Sequence, residues 1–479
     1  MWKMLGISAF GILSSCMFLS CGGHVAGDLQ SGDGADAAID TGIPVDDCQE
    51  GLRCAKGRVC HANRCVDGCS INGEYYPHGT ENPLNRCVVC TSASETSWTP
   101  VRSDECIDMA RISASRNHTC AISPSGGLKC WGANSYSKLG TDGGPSSVPA
   151  QVVGLESGVE AVASGGSHTC AVTKEGSAFC WGMQHQYVYH GISMGSVVGC
   201  GCHCDGGGGT SSYCSTPVPV FGLTSGVNGI TAGDLHACAN TSSGSVLCWG
   251  HNCEGSFGYG SQTFHSEPNP IIGLASGVVA ISAGSHHTCA LTSVGGVLCW
   301  GNAHGGLLGD GKTESALVPV AVTGLESGVA AISAGDSHTC ALTAAGRLLC
   351  WGENNEGQLG NGTTDTSIFP VPVVGLEPSV AAVSAGYQHT CAITTQGKLF
   401  CWGSNGAGQL GVDVILSSES PVPVDGLSSA VIAVSAGGKH TCAVTQTGSV
   451  LCWGSNESGQ LGDGTYENRW VPAPVTGFP

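Results

Sequence analysis

Basic residues are scarce in this chain. Seventeen lysines and arginines stand against 36 aspartates and glutamates in 479 residues, a formal charge of −19, and they never gather into a run. A field of that sign repels nucleic acid and anionic lipid surfaces, so no nucleic-acid partner is expected. Charged residues of either sign make up only 11%. Beyond the N-terminus no apolar stretch reaches the roughly 20 residues of a membrane span. Also missing are a nucleophile elbow, a phosphate-binding loop, a His-Glu-x-x-His pair and paired carboxylates in a supporting context. Asp310-Gly311 and Asp463-Gly464 lack the ladder of acids of a calcium loop and read as turns. These absences point to a non-enzyme without a cofactor.

Glycine and cysteine are abundant, with 76 and 29 copies. The glycine fits many short strands joined by tight turns better than it fits helices. Regularly spaced cysteines in such number fit an oxidising compartment, where they pair.

The N-terminus reads as an address. Lys3 precedes the apolar run that begins at Met4, the pattern of a signal peptide. The segment resembles a bacterial lipoprotein signal, in which a cysteine accepts the lipid. Cys21, followed by Gly22-Gly23, is the expected site and Cys16 the alternative; cleavage at Cys16 leaves Met17, Phe18 and Leu19 exposed on the mature end. A plain secretory signal is the simpler alternative. Residues 1–20 are assigned to the signal and 21–47, poor in large apolar groups, to a flexible acidic tether. The expected location is an exported lipoprotein at the outer membrane or cell surface, with the periplasmic face also open. The lipid is then the only membrane contact.

Residues 48–106 hold Cys48, Cys54, Cys60, Cys65, Cys69, Cys87, Cys90 and Cys106, with almost no apolar core. Disulfides supply what such a core lacks. Eight cysteines allow 105 pairings, so the connectivity stays open. Cys87 and Cys90 have metal-ligand spacing, but a zinc site usually needs a second matched pair.

From residue 107 onward the chain repeats. The motif Cys-Trp-Gly recurs at Trp131, Trp181, Trp249, Trp300, Trp351, Trp402 and Trp453, at intervals of 50, 68, 51, 51, 51 and 51 residues. The long interval marks an insertion at about 185–214 in the second repeat. Within one copy, Ala331–Gly335 alternates small and apolar residues as a half-buried strand does. His338–Thr343, a glycine turn and Leu348–Gly352 then form a hairpin. Pro370-Val371-Pro372 suits an edge strand. Three or four short strands per unit make one blade. Seven such units predict an all-β, seven-bladed β-propeller, preceded by the tether and the small disulfide-rich module. A linear β-solenoid is the structural rival.

The run Trp351-Gly352-Glu353-Asn354-Asn355-Glu356-Gly357-Gln358-Leu359-Gly360 resembles the repeat of the regulator of chromosome condensation family, as do Trp402 to Gly411 and Trp453 to Gly462. The resemblance covers roughly residues 111–479, with the first three copies degenerate. It implies a seven-bladed propeller. It does not imply nucleotide exchange for an exported, acidic chain. Exported relatives of the repeat include an inhibitor of beta-lactamase, so binding of an extracellular protein lies within the family's range.

Each repeat carries two cysteines ten residues apart: Cys120 and Cys130, Cys170 and Cys180, Cys238 and Cys248, Cys289 and Cys299, Cys340 and Cys350, Cys391 and Cys401, Cys442 and Cys452. A hairpin centred on Ala345 sets Cys340 opposite Cys350. A non-hydrogen-bonded antiparallel pair has its Cα atoms about 4.5 Å apart, inside the window of roughly 4.4–6.8 Å that a disulfide accepts. One disulfide per blade is expected. The rival reading is metal, since His338 and Cys340 share a strand face. Seven equal copies fit it poorly. His118, His168, His236, His287, His338, His389 and His440 are therefore expected to be structural hydrogen-bonders between strands or blades.

Function should sit where the copies differ, on the loops after the Gly-Gln-Leu-Gly position. Those loops offer Tyr136, Tyr187, Tyr189, Phe264, Phe369, Tyr466 and Trp470 as anchors for a protein or glycan partner, with Phe257 and Tyr259 beside them. About half of these aromatics are expected to pack under their own loops. The insertion adds Cys200, Cys202, Cys204, Cys214 and His203, and the next repeat adds Cys253. Local disulfides with one cysteine left over are expected there, with a Cys/His metal cluster as the alternative. The expected function is an extracytoplasmic, lipid-anchored binding scaffold. An enzyme (a lyase or hydrolase) in the axial pocket, or a structural or adhesive envelope component, are the alternatives.

Overall fold

The computed structural model describes residues 112–184, 212–262, 265–376, 380–413 and 415–478, together with short strands between residues 59 and 100. The signal, the tether and most of the insertion lie outside the described residues. Among the described residues no helix is long and apolar enough to cross a membrane.

Seven four-stranded antiparallel sheets follow one another in chain order, and each is built from a single contiguous stretch. They span 112–151, 159–219, 227–270, 278–321, 329–372, 380–423 and 431–474, here blades 1 to 7. Blade 5 shows the pattern. Val329–Ala334 is innermost, followed by His338–Thr343, Leu348–Gly352 and the outermost strand Ser367–Pro372. The proline-bearing strand lies at the edge, where a missing N–H costs no ladder bond.

Register places Cys340 opposite Cys350 and His338 opposite Gly352. The disulfide expected in each blade is present. Cys120 is bonded to Cys130 in blade 1, Cys170 to Cys180 in blade 2 and Cys238 to Cys248 in blade 3. Cys289 is bonded to Cys299 in blade 4, Cys340 to Cys350 in blade 5, Cys391 to Cys401 in blade 6 and Cys442 to Cys452 in blade 7. In every one the Cα atoms are 4.1 Å apart. That departs from the expected spacing of about 4.5 Å and falls just below the usual disulfide window of roughly 4.4–6.8 Å. The partners Cys130, Cys180, Cys248, Cys299, Cys350, Cys401 and Cys452 each lie two residues before the glycine of Cys-Trp-Gly, where the third strand shifts register. In blade 5 the shift falls between Cys350 and Gly352. There Gly352 has φ +111°, and a Cβ would stand 2.7 Å from the His338 Cα, so only glycine fits.

The cores lie between blades. Cys340, Leu348, Leu359 and Val373 of blade 5 pack with Val383, Ala392 and Trp402 of blade 6. The same arrangement recurs around the ring. Trp131, Trp181, Trp300, Trp351, Trp402 and Trp453 are fully buried, each contributing roughly 4–6 kcal/mol of burial. Blade 7 meets blade 1 through one such core, with Trp131 against Leu461 and Val475. The same bonds that join other neighbours seal this joint: Ala114 N to Ser435 Oγ at 2.8 Å, and Gly438 N to Ser115 O at 2.8 Å. The ring is closed without strand exchange, which excludes the solenoid.

Near the N-terminus, Val59–His61 pairs with Arg64–Val66 with Cys60 opposite Cys65. Gly68–Ile71 pairs with Glu74–Pro77, and a three-stranded sheet runs from residue 81 to 100.

Candidate functional site

The repeated histidines do join blades. His338 Nε2 lies 2.7 Å from Thr390 Oγ1 of blade 6, and Thr390 donates to Gln358 O at 2.8 Å. The same carbonyl accepts Trp402 Nε1 at 2.9 Å. The threonine proton is spent on the carbonyl, so the imidazole donates through Nε2–H, and burial keeps the ring neutral. Six joints carry this clamp, through His118, His236, His287, His338, His389 and His440. Burial pulls these histidines far down, to about 3 for His236, His338 and His440 and about 4 for His287 and His389. The Nδ1 atoms of His287, His338, His389 and His440 are buried without a hydrogen-bond partner. At His118, Ser115 Oγ lies 2.7 Å from Nδ1 and donates to it.

In blades 2 to 7 the histidine ring folds back over the glycine that follows the innermost strand; blade 1 has Ser115 there. A Cβ on Gly335 would strike the Gly386 carbonyl of the next blade. The residue after that glycine is then turned toward the ring axis. Its seven copies are Arg116, Gly166, Asp234, Ser285, Asp336, Tyr387 and Gly438. All seven blades contribute to the lining of one axial cavity of about 80 Å³. Main-chain bonds rim it, including Asp336 N to Gly386 O at 3.1 Å and Tyr387 N to Gly437 O at 3.2 Å.

Here the seven-fold symmetry fails. Arg116 of blade 1 reaches across the axis, with Nε donating to Tyr387 OH at 2.8 Å and Nη2 to Asp234 Oδ2 at 3.3 Å. Tyr387 OH donates to Asp234 Oδ1 at 2.9 Å, and the Arg116 guanidinium lies 5.1 Å from the Tyr387 ring centre. Burial and then the Asp234 charge push the Tyr387 phenol well above its usual value. Asp336 is hydrogen-bonded to Ser285; burial, with Asp234 nearby, raises its carboxyl. Behind the rim, Lys138 bonds Asn117 Oδ1 at 2.7 Å and Gly166 O at 3.1 Å. Burial and then Arg116 lower its ammonium to about 8.

None of these residues belongs to the loops after Gly-Gln-Leu-Gly, where variation was expected to mark function. Their only signal in the sequence is the one residue between Ala-Gly and the x-His-Thr of each copy, at positions about fifty residues apart. The long loops emerge on the same face. Gly352 pairs with both His338 and Ser367, and Glu353 N donates to Ser337 O at 2.8 Å. Of the aromatics expected on loops, Tyr136 and Tyr466 are on them and exposed, Tyr466 by 54%, whereas Phe369 and Trp470, also exposed, lie on the outermost strands Ser367–Pro372 and Arg469–Pro474. Phe257 is buried, and Tyr259 packs on it while donating to Asn269 O at 2.9 Å. Tyr187, Tyr189 and Phe264 lie outside the described residues.

Among the described residues no group of three or more His, Cys, Asp or Glu could hold a metal. Cys340 and Cys350 are bonded to each other and His338 to Thr390, so the three are not available together as ligands. Cys130, Cys180, Cys248, Cys299, Cys401 and Cys452 are committed to their blade partners in the same way. Cys214 is disulfide-bonded, which removes it from a metal set. Cys200, Cys202, Cys204 and His203 lie outside the described residues, as do Cys16 and Cys21.

A closed ring of seven disulfide-stapled blades around an asymmetric mouth defines a β-propeller of the repeat-built kind. The chain belongs to the RCC1-like domain family, whose model matches residues 192–478. Models of the regulator of chromosome condensation repeat match residues 110–137, 159–187 and 125–172. The ultraviolet-B receptor UVR8 of Arabidopsis thaliana is 36% identical over 272 residues, which are 56% of this chain and 62% of the receptor. The human E3 ubiquitin-protein ligase HERC2 is 33% identical over 242 residues, 49% of this chain and 5% of the ligase. The chain thus spans less than two thirds of these relatives. Among solved structures, yeast RCC1 (Prp20) bound to Kap60 superposes with a TM-score of 0.62 at 21% identity, covering 78% of this chain and 87% of that one. Human WBSCR16 gives 0.62 at 22% identity, covering 73% and 94%. At these identities the likeness is one of fold.

Proposed function

We propose that this chain is a non-catalytic, extracytoplasmic scaffold, anchored by a lipid on Cys21 (Cys16 as the alternative), that binds a partner protein on one face of its propeller. The carrying observation is the axial mouth. Five polar side chains of four kinds occupy positions that the repeat makes equivalent, on the face that also presents Tyr136, Phe369, Tyr466 and Trp470. A rigid wall with aromatic and arginine groups at its surface is the composition of a binding hot spot. Relatives support a protein as the partner: one structure holds yeast RCC1 with Kap60, and another concerns Prp20p and its binding to Gsp1p and histones. The cysteine pairs and the signal-like N-terminus support export.

A photo-crosslinking residue at position 136 should trap a partner in intact cells, and one at position 345, on the opposite face, should not. Crosslinks from position 345 alone would overturn the choice of face. Mass spectrometry of the mature N-terminus tests the anchor, and an unmodified Met1 would remove it.

The second reading is an enzyme in the axial cavity, favoured by the unequal acids Asp234 and Asp336. Asp234 already holds Tyr387 and Arg116, which leaves Asp336 as the one carboxyl of the pair without an ion-pair partner among the described residues. Asp336 is held by Ser285 with His286 nearby, a rim contact that serves binding as well as it would serve proton transfer.

A further inference from the structure

We infer that the ring is least strongly bonded between blades 2 and 3, that it opens there first, and that Arg116 is the latch holding that joint from across the axis.

At six joints the innermost strands are tied by a side-chain hydroxyl that accepts the main-chain N–H of the next blade. Ser113 accepts Ser164 N, Thr231 accepts Ala283 N, Ser282 accepts Ala334 N, and the series continues through Ser333, Ser384 and Ser435 at 2.8–3.0 Å. The equivalent residue facing blade 3 is Ala163, which has no hydroxyl to offer Ala232. The same six joints carry the histidine–threonine clamp. At the seventh, the threonine is replaced by Ala237, so neither its bond to a histidine nor its bond to a loop carbonyl can form. The core of this joint is also looser. Trp249 is 8% exposed where the other six tryptophans are at 0%.

Two kinds of repeated bond are thus absent at one joint, and both absences are written in the side chains. Among the described residues, the main-chain bonds Gly166 N to Gly233 O at 3.2 Å and Val227 N to Gly176 O at 3.0 Å still join the two blades, with the apolar contacts of Ala161, Val172 and Trp249. The Arg116–Tyr387–Asp234 network is placed to compensate. It ties blade 3 directly to blades 1 and 6, bypassing blade 2. The latch and the proposed binding mouth share residues, so a ligand that takes Asp234 frees blade 3 from both of its ties across the axis, and one that takes Arg116 leaves only the Tyr387 bond.

Native-state hydrogen exchange on the full chain tests this. The amides of Val159–Ser164 and Val227–Ala232 should exchange faster than those of Val329–Ala334 and Val380–Ala385, by about tenfold or more for two missing buried bonds. The double substitution Ala163→Ser with Ala237→Thr should slow exchange at that joint to the level of the others. Arg116→Ala should quicken exchange there and leave the joint between blades 5 and 6 unchanged. The reciprocal pair Ser333→Ala with Thr390→Ala should make the joint between blades 5 and 6 as labile as the natural one. Equal exchange at all seven joints of the unaltered protein would overturn the inference even if a variant failed to fold. Uniform quickening by Arg116→Ala would remove the latch.

Discussion

Arg116 and Asp234 stand 118 residues apart in the chain, yet the guanidinium of one meets the carboxylate of the other at 3.3 Å over the mouth of the ring. Their blades are not neighbours. Blade 2 lies between them, so this ion pair spans a chord of the ring, and Tyr387 brings a third blade into it.

Removing the phenol should expose how much that chord contributes. Tyr387→Phe keeps the ring and deletes two hydrogen bonds, and should cost about 1–2 kcal/mol in urea unfolding. Arg116 is half exposed, so its pairing is screened and Arg116→Gln should cost less than the loss of the buried hydroxyl. Equal or no effect from both would mean that the network contributes nothing to the closed ring.

Acid should loosen the blades before it protonates most carboxylates. The clamp histidines titrate near 3 to 4 when folded and near 6.5 when unfolded. Below pH 6.5 the unfolded chain holds more protons, so stability falls as the pH drops from about 6.5 toward 4. Above 6.5 this contribution is present in full. Each buried histidine gives a slope of up to about 1.4 kcal/mol per pH unit. Unfolding midpoints taken at pH 8, 6.5, 5.5 and 4.5 should fall only across the last three. A flat profile over that range would show that the histidines are not held neutral.

Two substitutions at small residues should act in opposite directions. Ser137 has φ 59°, a left-handed conformation that most copies give to glycine at this position. Ser137→Gly should therefore raise stability by about 0.5–1 kcal/mol. Gly335→Ala should lower it by about 3 kcal/mol or more, because the new methyl meets the Gly386 carbonyl. Thermal unfolding of both variants reads the two signs directly.

The staples can be weighed one at a time. Replacing Cys340 and Cys350 together by serine should cost about 2–3 kcal/mol, with blades stapled elsewhere still closed by the other six bonds. Loss of one blade disulfide by mass and a lowered thermal midpoint are the expected result. An unchanged midpoint would show that the hairpin is equally restrained when unfolded.

Much of this was legible in the amino-acid order because it is local. Ten-residue spacing within a hairpin brings Cys340 to Cys350 whatever the rest of the chain does, since antiparallel register is fixed by the turn. The same spacing joins Cys120 to Cys130 and Cys442 to Cys452 at the two ends of the ring. The Cys-Trp-Gly interval announced seven units, and a fifty-residue unit with one apolar edge has no stable state except against its copies. His338, placed as a structural link, is one, although its partner Thr390 belongs to the next blade. The exposed aromatics were legible only as loop residues; that Phe257 turns inward while Tyr466 stays out depends on the packing beneath each loop.

The sequence by itself determined the blade, its staple, and which joint lacks its hydroxyls, because those are properties of one repeat compared with another. Only the tertiary structure decided where the copies converge. Arg116, Asp234, Asp336 and Tyr387 have no spacing that marks them as a group. Closing the ring turns seven separate three-residue turns into one rim, and side chains distant in sequence then interact across a shared cavity.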